Sequence, residues 1–259
     1  MLNKSIHMPF YNYNGNSETM IIFIHGILES SFQFKALAKL ASSKGYAISA
    51  ILLDGHGKSG KDFANSSLEK WINCVNKEIE KHKEKYNNII LVGHSMGATL
   101  SILSYLNHKN KIKGIVAIST PMYVRVKVNI AISSIKIALG KIDENDILTT
   151  RAYNAFSVGR SSLFTYFRWI PRYIDLFKLI LKSRKILNNI DVPILVIHTM
   201  NDELVIHRSL NLFKKNLKNY NKIIRLQNSG HFYYDEKDLD CLYNEFILFL
   251  DYIQSLQFN

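Results

Sequence analysis

Short apolar runs rich in β-branched residues alternate along this chain with longer stretches whose apolar residues recur every three or four positions. The first run, Thr19–Ile24, shows no polar alternation, which predicts a strand buried on both faces. Phe34, Leu37, Ala38, Leu40 and Ala41 then share one helical face, and Gly45 supplies a stop before a second strand over 46–53. Residues 54–60 are turn chemistry. Ser66, with Glu69 three positions on, has the spacing of a capping box opening a helix through Trp71, Ile72, Val75 and Ile79.

The alternation continues. Residues 88–92 predict a strand running into the turn Gly93-His94-Ser95-Met96-Gly97, followed by a helix with Leu100, Ile102, Leu103 and Leu106, and a strand over 114–119. Beyond Pro121 the pattern becomes helical and rich in Tyr, Phe and Arg, with no strand until 192–198. A helix over 207–217, a strand over 222–227 and an amphipathic helix over 239–256 complete the chain. Strands separated by helices predict an α/β fold: a mostly parallel sheet with helices on both faces. Residues 1–120 and 191–259 form its core, and 121–190 an inserted helical cap. In such sheets the ligand site lies beyond the carboxyl ends of the strands.

The 259 residues suffice for one core with a cap. A hydrophobic fraction of 47% and a charged fraction of 21% exclude a disordered chain. No export signal and no run of about 18 apolar residues occurs, so a cytoplasmic location is expected. Cys74 and Cys241 stand apart, without neighbouring ligands at metal-binding spacing, and are expected to be free thiols. The net charge is +12, and residues 121–190 carry 12 Lys/Arg against 4 Asp/Glu, or +8 of it. The basic residues follow no nucleic-acid-binding module; they suit instead a cap that approaches an anionic lipid surface or attracts anionic esters.

The candidate chemistry sits at predicted strand ends. Gly-x-Ser-x-Gly is a weak signal alone, but between a strand and a helix its glycines permit the strained turn that lifts a serine hydroxyl above the sheet. A serine hydroxyl needs a base, and that base needs a carboxylate to orient it. Asp202 follows the strand ending at His198, and His231 follows the strand ending near Gln227, giving the order Ser95, Asp202, His231. Glu203 is the neighbouring carboxylate. The backbone amides of Ile27 and Met96 are placed to form an oxyanion hole, where each donor contributes about 3–4 kcal/mol to transition-state stabilisation. His25 is expected on the substrate side, bracing the oxyanion loop through a ring hydrogen bond. His94 and His56 are expected to be structural. Of the aromatic residues in the cap, Phe164, Phe167 and Trp169 are the candidates for touching substrate.

With His25-Gly26, Asp54-Gly55-His56-Gly57-Lys58-Ser59, Gly93-His94-Ser95-Met96-Gly97, Asp202 and Gly230-His231 in this order, the chain resembles the α/β-hydrolase superfamily along nearly its whole length. Within it, the chain is similar to bacterial carboxylesterases and monoacylglycerol lipases. The resemblance implies a carboxylic-ester hydrolase acting through an acyl-serine intermediate on a small, lipid-like ester, with no metal or organic cofactor. It implies Ser95 as nucleophile, Asp202 and His231 as its partners, and Ile27 and Met96 as oxyanion donors. Two departures stand out: the first 18 residues leave room for at most a short hairpin, and the cap carries no matching motif. The same residues would also serve an acyltransferase, or a hydrolase of amide, lactone or carbon–carbon bonds, and a ligand-binding protein could retain them without turnover.

Overall fold

A computed structural model describes residues 4–217 and 221–256 of the chain. Among the described residues seven strands form one sheet: β1 (Phe10–Asn12), β2 (Thr19–Ile24), β3 (Ala47–Ala50), β4 (Asn88–His94), β5 (Ile112–Ile118), β6 (Ile194–Thr199) and β7 (Asn221–Leu226). Their spatial order is β1-β3-β2-β4-β5-β6-β7, and every neighbouring pair is parallel except β1 with β3. This is the mostly parallel α/β-hydrolase sheet. Among the described residues the N-terminal segment contributes one strand, β1, within the limit of at most a short hairpin.

Among the described residues ten α-helices connect and flank the strands: α1 (Lys35–Ser43), α2 (Gly60–Ala64), α3 (Leu68–His82), α4 (Met96–Tyr105), α5 (Val128–Leu139), α6 (Ile147–Ala155), α7 (Leu163–Phe167), α8 (Ile170–Ile186), α9 (Ser209–Asn216) and α10 (Glu236–Ser255). Side chains alternate across each strand, so the unbroken apolar runs feed two cores. Met20, Ile22, Leu91, Ile115 and Val196 pack against Trp71, Val75, Leu100 and Leu179 on one face. Ile21, Phe23, Val92, Val116 and Leu195 meet Phe34, Leu37, Phe246 and Phe249 on the other.

The second strand is shorter than its apolar run. Ile51 still donates to the Phe23 carbonyl at 3.1 Å, after which the chain leaves the sheet. The cap of α3 also differs from expectation. Ser67, not Ser66, accepts the helix-opening amide, from Lys70 at 3.2 Å, while the Ser66 hydroxyl donates to the Asp54 carbonyl at 2.9 Å. Ser66 is recruited by the preceding loop, and extended backbone at Ser67 starts the helix one residue later. A capping box does form at α2, where Ser59 and Asp62 bond reciprocally.

Between β5 and β6 the chain passes through α5 to α8. Helices α5 and α6 share a small core of Ile130, Ile137 and Ala152, against which Tyr153, Phe156, Leu204 and Phe232 pack. Helix α8 lies along α4: Leu179 and Ile180 are buried, and the Ser183 hydroxyl donates to the Thr99 carbonyl at 3.1 Å. Among the described residues no helix is long and apolar enough to cross a membrane. Cys74 and Cys241 are free and half-buried.

Candidate active site

Strand β4 ends at His94, and Ser95 turns the chain into α4 with φ 51° and ψ −119°. Such a conformation costs a non-glycine residue about 1–3 kcal/mol and must be held by its surroundings. Gly97 allows it: a methyl group there would land on the Ile24 carbonyl oxygen of the neighbouring strand, and one on Gly93 would strike the Ala98 backbone. The turn packs that closely because both positions lack a side chain.

Around this serine the structure brings together the three side chains expected from sequence. His231 Nε2 lies 3.1 Å from Ser95 Oγ. On the other side of the ring, Nδ1 lies 3.0 and 2.9 Å from the two Asp202 oxygens. Asp202 is fixed in turn. Its Oδ1 accepts the amides of Leu204 and Val205 at 2.9 and 2.7 Å, and its Oδ2 accepts the Thr199 hydroxyl at 2.8 Å. Glu203, the alternative acid, makes no hydrogen bond to the imidazole and accepts the His231 backbone amide at 2.8 Å. The two acids therefore divide the work, one orienting the ring and the other its backbone. Asp238 steadies the same loop by accepting from the Gln227 and Asn228 amides and the Ser229 hydroxyl.

The electrostatics follow from burial and pairing. Burial works against the Asp202 charge, but the charge of His231 and hydrogen bonds from His231, Val205 and Leu204 outweigh it and hold the carboxyl well below the usual carboxylate range. Burial alone would lower the His231 pKa. The Asp202 carboxylate, its hydrogen bond, and the charges of Glu29 and Glu203 raise it instead above the ordinary histidine value.

The Ile27 and Met96 amides donate to no acceptor among the described residues. Their loops adjoin the serine: a methyl group on Gly26 would come within 3.0 Å of Ser95 Cβ. His25 and His56 brace the first of these loops reciprocally. Leu53 N–H donates to His25 Nε2 at 3.0 Å, and Leu28 N–H donates to His56 Nε2 at 3.1 Å. Each ring thus carries its proton on Nδ1, donating to the Gly26 and Asp54 carbonyls respectively. Burial pushes His25 down to about 4 and His56 down to about 3, so both are neutral struts. His25 is fully buried, and both of its ring nitrogens are taken up by loop backbone.

Sequence reasoning missed Glu29. This carboxylate is buried beside the nucleophile, and its Oε2 accepts from the Gly26 amide at 2.8 Å, Gln33 Nε2 at 2.7 Å and His94 Nδ1 at 2.8 Å. Burial pushes its pKa up, but the charge and hydrogen bond of His94, the charge of His231 and the Gln33 hydrogen bond hold it at about 2. It is therefore a fixed negative charge close to His231, whose ring centroid lies 4.9 Å from that of His94 with the two planes tilted by 50°. Glu29, His94 and His231 each bring one donor atom within 4.8 Å of the others, and among the described residues they form the one group close enough to share a metal ion. A capping-type carboxylate three residues after a glycine was the available signal.

Two cavities flank this centre. One, of about 350 Å³, is walled by α5, α7 and the start of α8, with Leu28, Ile137, Tyr153, Phe156, Tyr166 and Trp169 among its lining. The other, of about 310 Å³, is walled by His231, Glu29, Gln33, Arg151, Asn154 and Tyr234. Ser95 itself is 6% exposed and lies on neither wall. Of the aromatic candidates, only Trp169 faces the larger cavity, pinned by its Nε1–H to the Gly60 carbonyl at 2.8 Å. Phe164 and Phe167 are 73% and 69% exposed and line neither cavity; on α7 it is Tyr166 and the equally exposed Leu163 that border the larger one.

Known proteins resemble this chain both in sequence and in fold. The sequence profile described as "Serine aminopeptidase, S33" matches residues 15–155. The thermostable monoacylglycerol lipase of Bacillus sp. (strain H-257) is 30% identical over 112 residues, which is 43% of each chain, so the match spans under half the length of that relative. The monoglyceride lipase homolog of Monkeypox virus is 23% identical over 215 residues, 78% of this chain and 77% of its own. In fold, the chain matches a structure from the metagenome-derived lipolytic enzymes LipS and LipT with a TM-score of 0.73 at 17% identity, covering 96% of this chain and 98% of that one.

Proposed function

Because the chain belongs to the α/β-hydrolase family described as serine aminopeptidase, S33, we propose that it is a serine hydrolase of carboxylic esters, using Ser95 as nucleophile and His231 with Asp202 as its base. The observation that carries the reading is the unbroken chain of contacts from Ser95 Oγ through both nitrogens of His231 to Asp202.

In the neutral imidazole, Nδ1–H donates to Asp202 and Nε2 accepts the Ser95 hydroxyl proton. Ser95 Oγ attacks the ester carbonyl as His231 takes that proton, and the negative charge moves to the carbonyl oxygen, where the Ile27 and Met96 amides receive it. Collapse of the tetrahedral adduct breaks the bond to the alkoxy oxygen, and His231 returns the proton to the departing alcohol. Water then attacks the acyl-serine, with His231 again accepting and returning a proton, and the acid leaves.

Two features favour an ester over the N-terminal peptide that the family description names. The larger cavity is apolar and its wall carries no carboxylate to receive a substrate ammonium. The carboxylate on the smaller wall, Glu29, already accepts three hydrogen bonds on Oε2. The apolar cavity suits an acyl chain. The cavity bounded by His231 suits the alcohol, since His231 must reach the leaving oxygen. The named lipase relatives point the same way.

Ser95→Ala tests the reading. Hydrolysis of p-nitrophenyl esters falls to background, by about 10⁴-fold or more, while circular dichroism and thermal melting stay those of the parent. A fluorophosphonate probe labels the parent at Ser95 and not the variant. Sustained turnover by Ser95→Ala removes Ser95 from the mechanism.

A further inference from the structure

Of the twenty exposed large apolar side chains among the described residues, fourteen lie between Val126 and Leu181. They follow a pattern. On α5 the exposed residues Val128, Ile132, Ile135 and Leu139 recur at i, i+4, i+7 and i+11. On α8, Ile170, Ile174, Phe177 and Leu181 repeat the same spacing. Each set makes one continuous apolar stripe along its helix. Both helices already bury another side: Ile130 and Ile137 on α5, Leu179 and Ile180 on α8. Folding of this chain thus leaves these outer stripes facing water, and continuous exposed apolar surface of this kind marks an interaction site.

Charge selects the partner. The segment 121–190 carries a net +8. Lys178, Lys182 and Lys185 are exposed on α8 beside its apolar stripe, and neither Lys182 nor Lys185 pairs with an acid among the described residues. A second copy of the chain would set +8 against +8. An anionic phospholipid surface neutralises that charge and receives apolar side chains below its headgroups. The cavity adds a further geometric link: Ile135, Leu139, Leu163 and Tyr173 are exposed and at the same time line the 350 Å³ cavity. Its mouth therefore opens within the apolar face.

We propose that the outer face of α5, α7 and α8 docks the protein on anionic phospholipid membranes, with the mouth of the larger cavity turned toward the bilayer so that a lipid-like ester enters without crossing water. Docking is independent of catalysis. The delivery of substrate toward Ser95 rests on the ester-hydrolase reading.

The test is co-sedimentation of the full chain with vesicles of phosphatidylcholine alone and of phosphatidylcholine with phosphatidylglycerol, at low and high salt. The parent and Ser95→Ala bind the phosphatidylglycerol vesicles equally and bind phosphatidylcholine weakly, and salt weakens the anionic preference. Ile132→Ser combined with Phe177→Ser, one change on each stripe and neither on the cavity wall, lowers partitioning about tenfold or more. Lys178→Gln, Lys182→Gln and Lys185→Gln lower it about fivefold each on the anionic vesicles only. Both variants hydrolyse water-soluble p-nitrophenyl acetate at the parent's rate. Absence of binding at low salt, or binding unchanged in both variants, overturns the proposal. So does sedimentation velocity showing a dimer that Ile132→Ser/Phe177→Ser dissociates, which would make the face a self-association surface. Vesicle binding by a parent protein that turns over no ester would leave docking intact and defeat the ester-hydrolase reading instead.

Discussion

In the mechanism we propose, the charge state of His231 decides when Ser95 can react, because only the neutral imidazole accepts the serine proton. The acids around it raise its pKa above the ordinary histidine value, so the base form grows in as pH rises and kcat/KM for a neutral ester increases through a titration above pH 6.5. Glu29 contributes to that shift. Glu29→Gln keeps an acceptor for the Gly26 amide but removes the charge, so the midpoint of the kcat/KM profile moves to lower pH. The same change loses charge-assisted hydrogen bonds and costs about 1.5–3 kcal/mol of stability, measured by urea denaturation. An unchanged midpoint would show that Glu29 acts on His94 and the loop alone. At this scale the sequence revealed what strand ends reveal: Ser95, Asp202 and His231 each follow an apolar run, and the structure brings His231 within hydrogen-bonding distance of both Ser95 and Asp202. Glu29 follows a run too, yet a glutamate in a turn reads as surface. Only the fold shows it buried against His94, 65 positions away.

At the scale of elements, the turn between β4 and α4 is where tolerance is least. A methyl group on Gly97 meets the Ile24 carbonyl oxygen, a backbone atom fixed in the central strand β2, whereas one on Gly15 meets nothing within 4 Å. Gly97→Ala therefore lowers stability by about 1–3 kcal/mol or more, displaces Ser95 and reduces turnover along with the melting temperature. Gly15→Ala leaves both at the parent's values, and comparable melting of the two variants would refute the packing argument. The strands were legible because runs such as Thr19–Ile24 lack any polar alternation. Their ends were less so. Ala47–Ala50 stops inside a longer apolar stretch because Ile51, Leu52 and Leu53 serve the loop that His25 grips. Ser66 and Ser67 compete for one cap, and the choice falls to the Asp54 carbonyl, which periodicity does not reveal. Phe164 and Phe167 stand out in the sequence as large aromatic residues, but a five-residue helix can set only some of its side chains along a cavity, and here Leu163 and Tyr166 take those places.

Across the whole molecule, the +12 net charge acts over distances that individual contacts do not. Of that excess, +8 lies in the segment 121–190, which walls the larger cavity, so on the proposed reading it would draw in an anionic substrate bound for that cavity. Raising salt from about 0.01 M to about 0.15 M shortens the screening length from about 30 Å to about 8 Å. An ester bearing an anionic group is therefore expected to lose about tenfold in kcat/KM over that range, with the change in its association rate, while a neutral ester of equal chain length loses none. Stopped-flow and steady-state assays on such a pair check this, and equal salt responses would show that the charge steers nothing. The charge asymmetry was visible in the sequence as an uneven count. Its meaning was not, because the count does not say which helical face the lysines share with Phe177 and Leu181, nor that the cavity mouth opens among the same helices. A salt response in solution and a salt response on vesicles would then have one source, and Lys178→Gln/Lys182→Gln/Lys185→Gln should weaken both together.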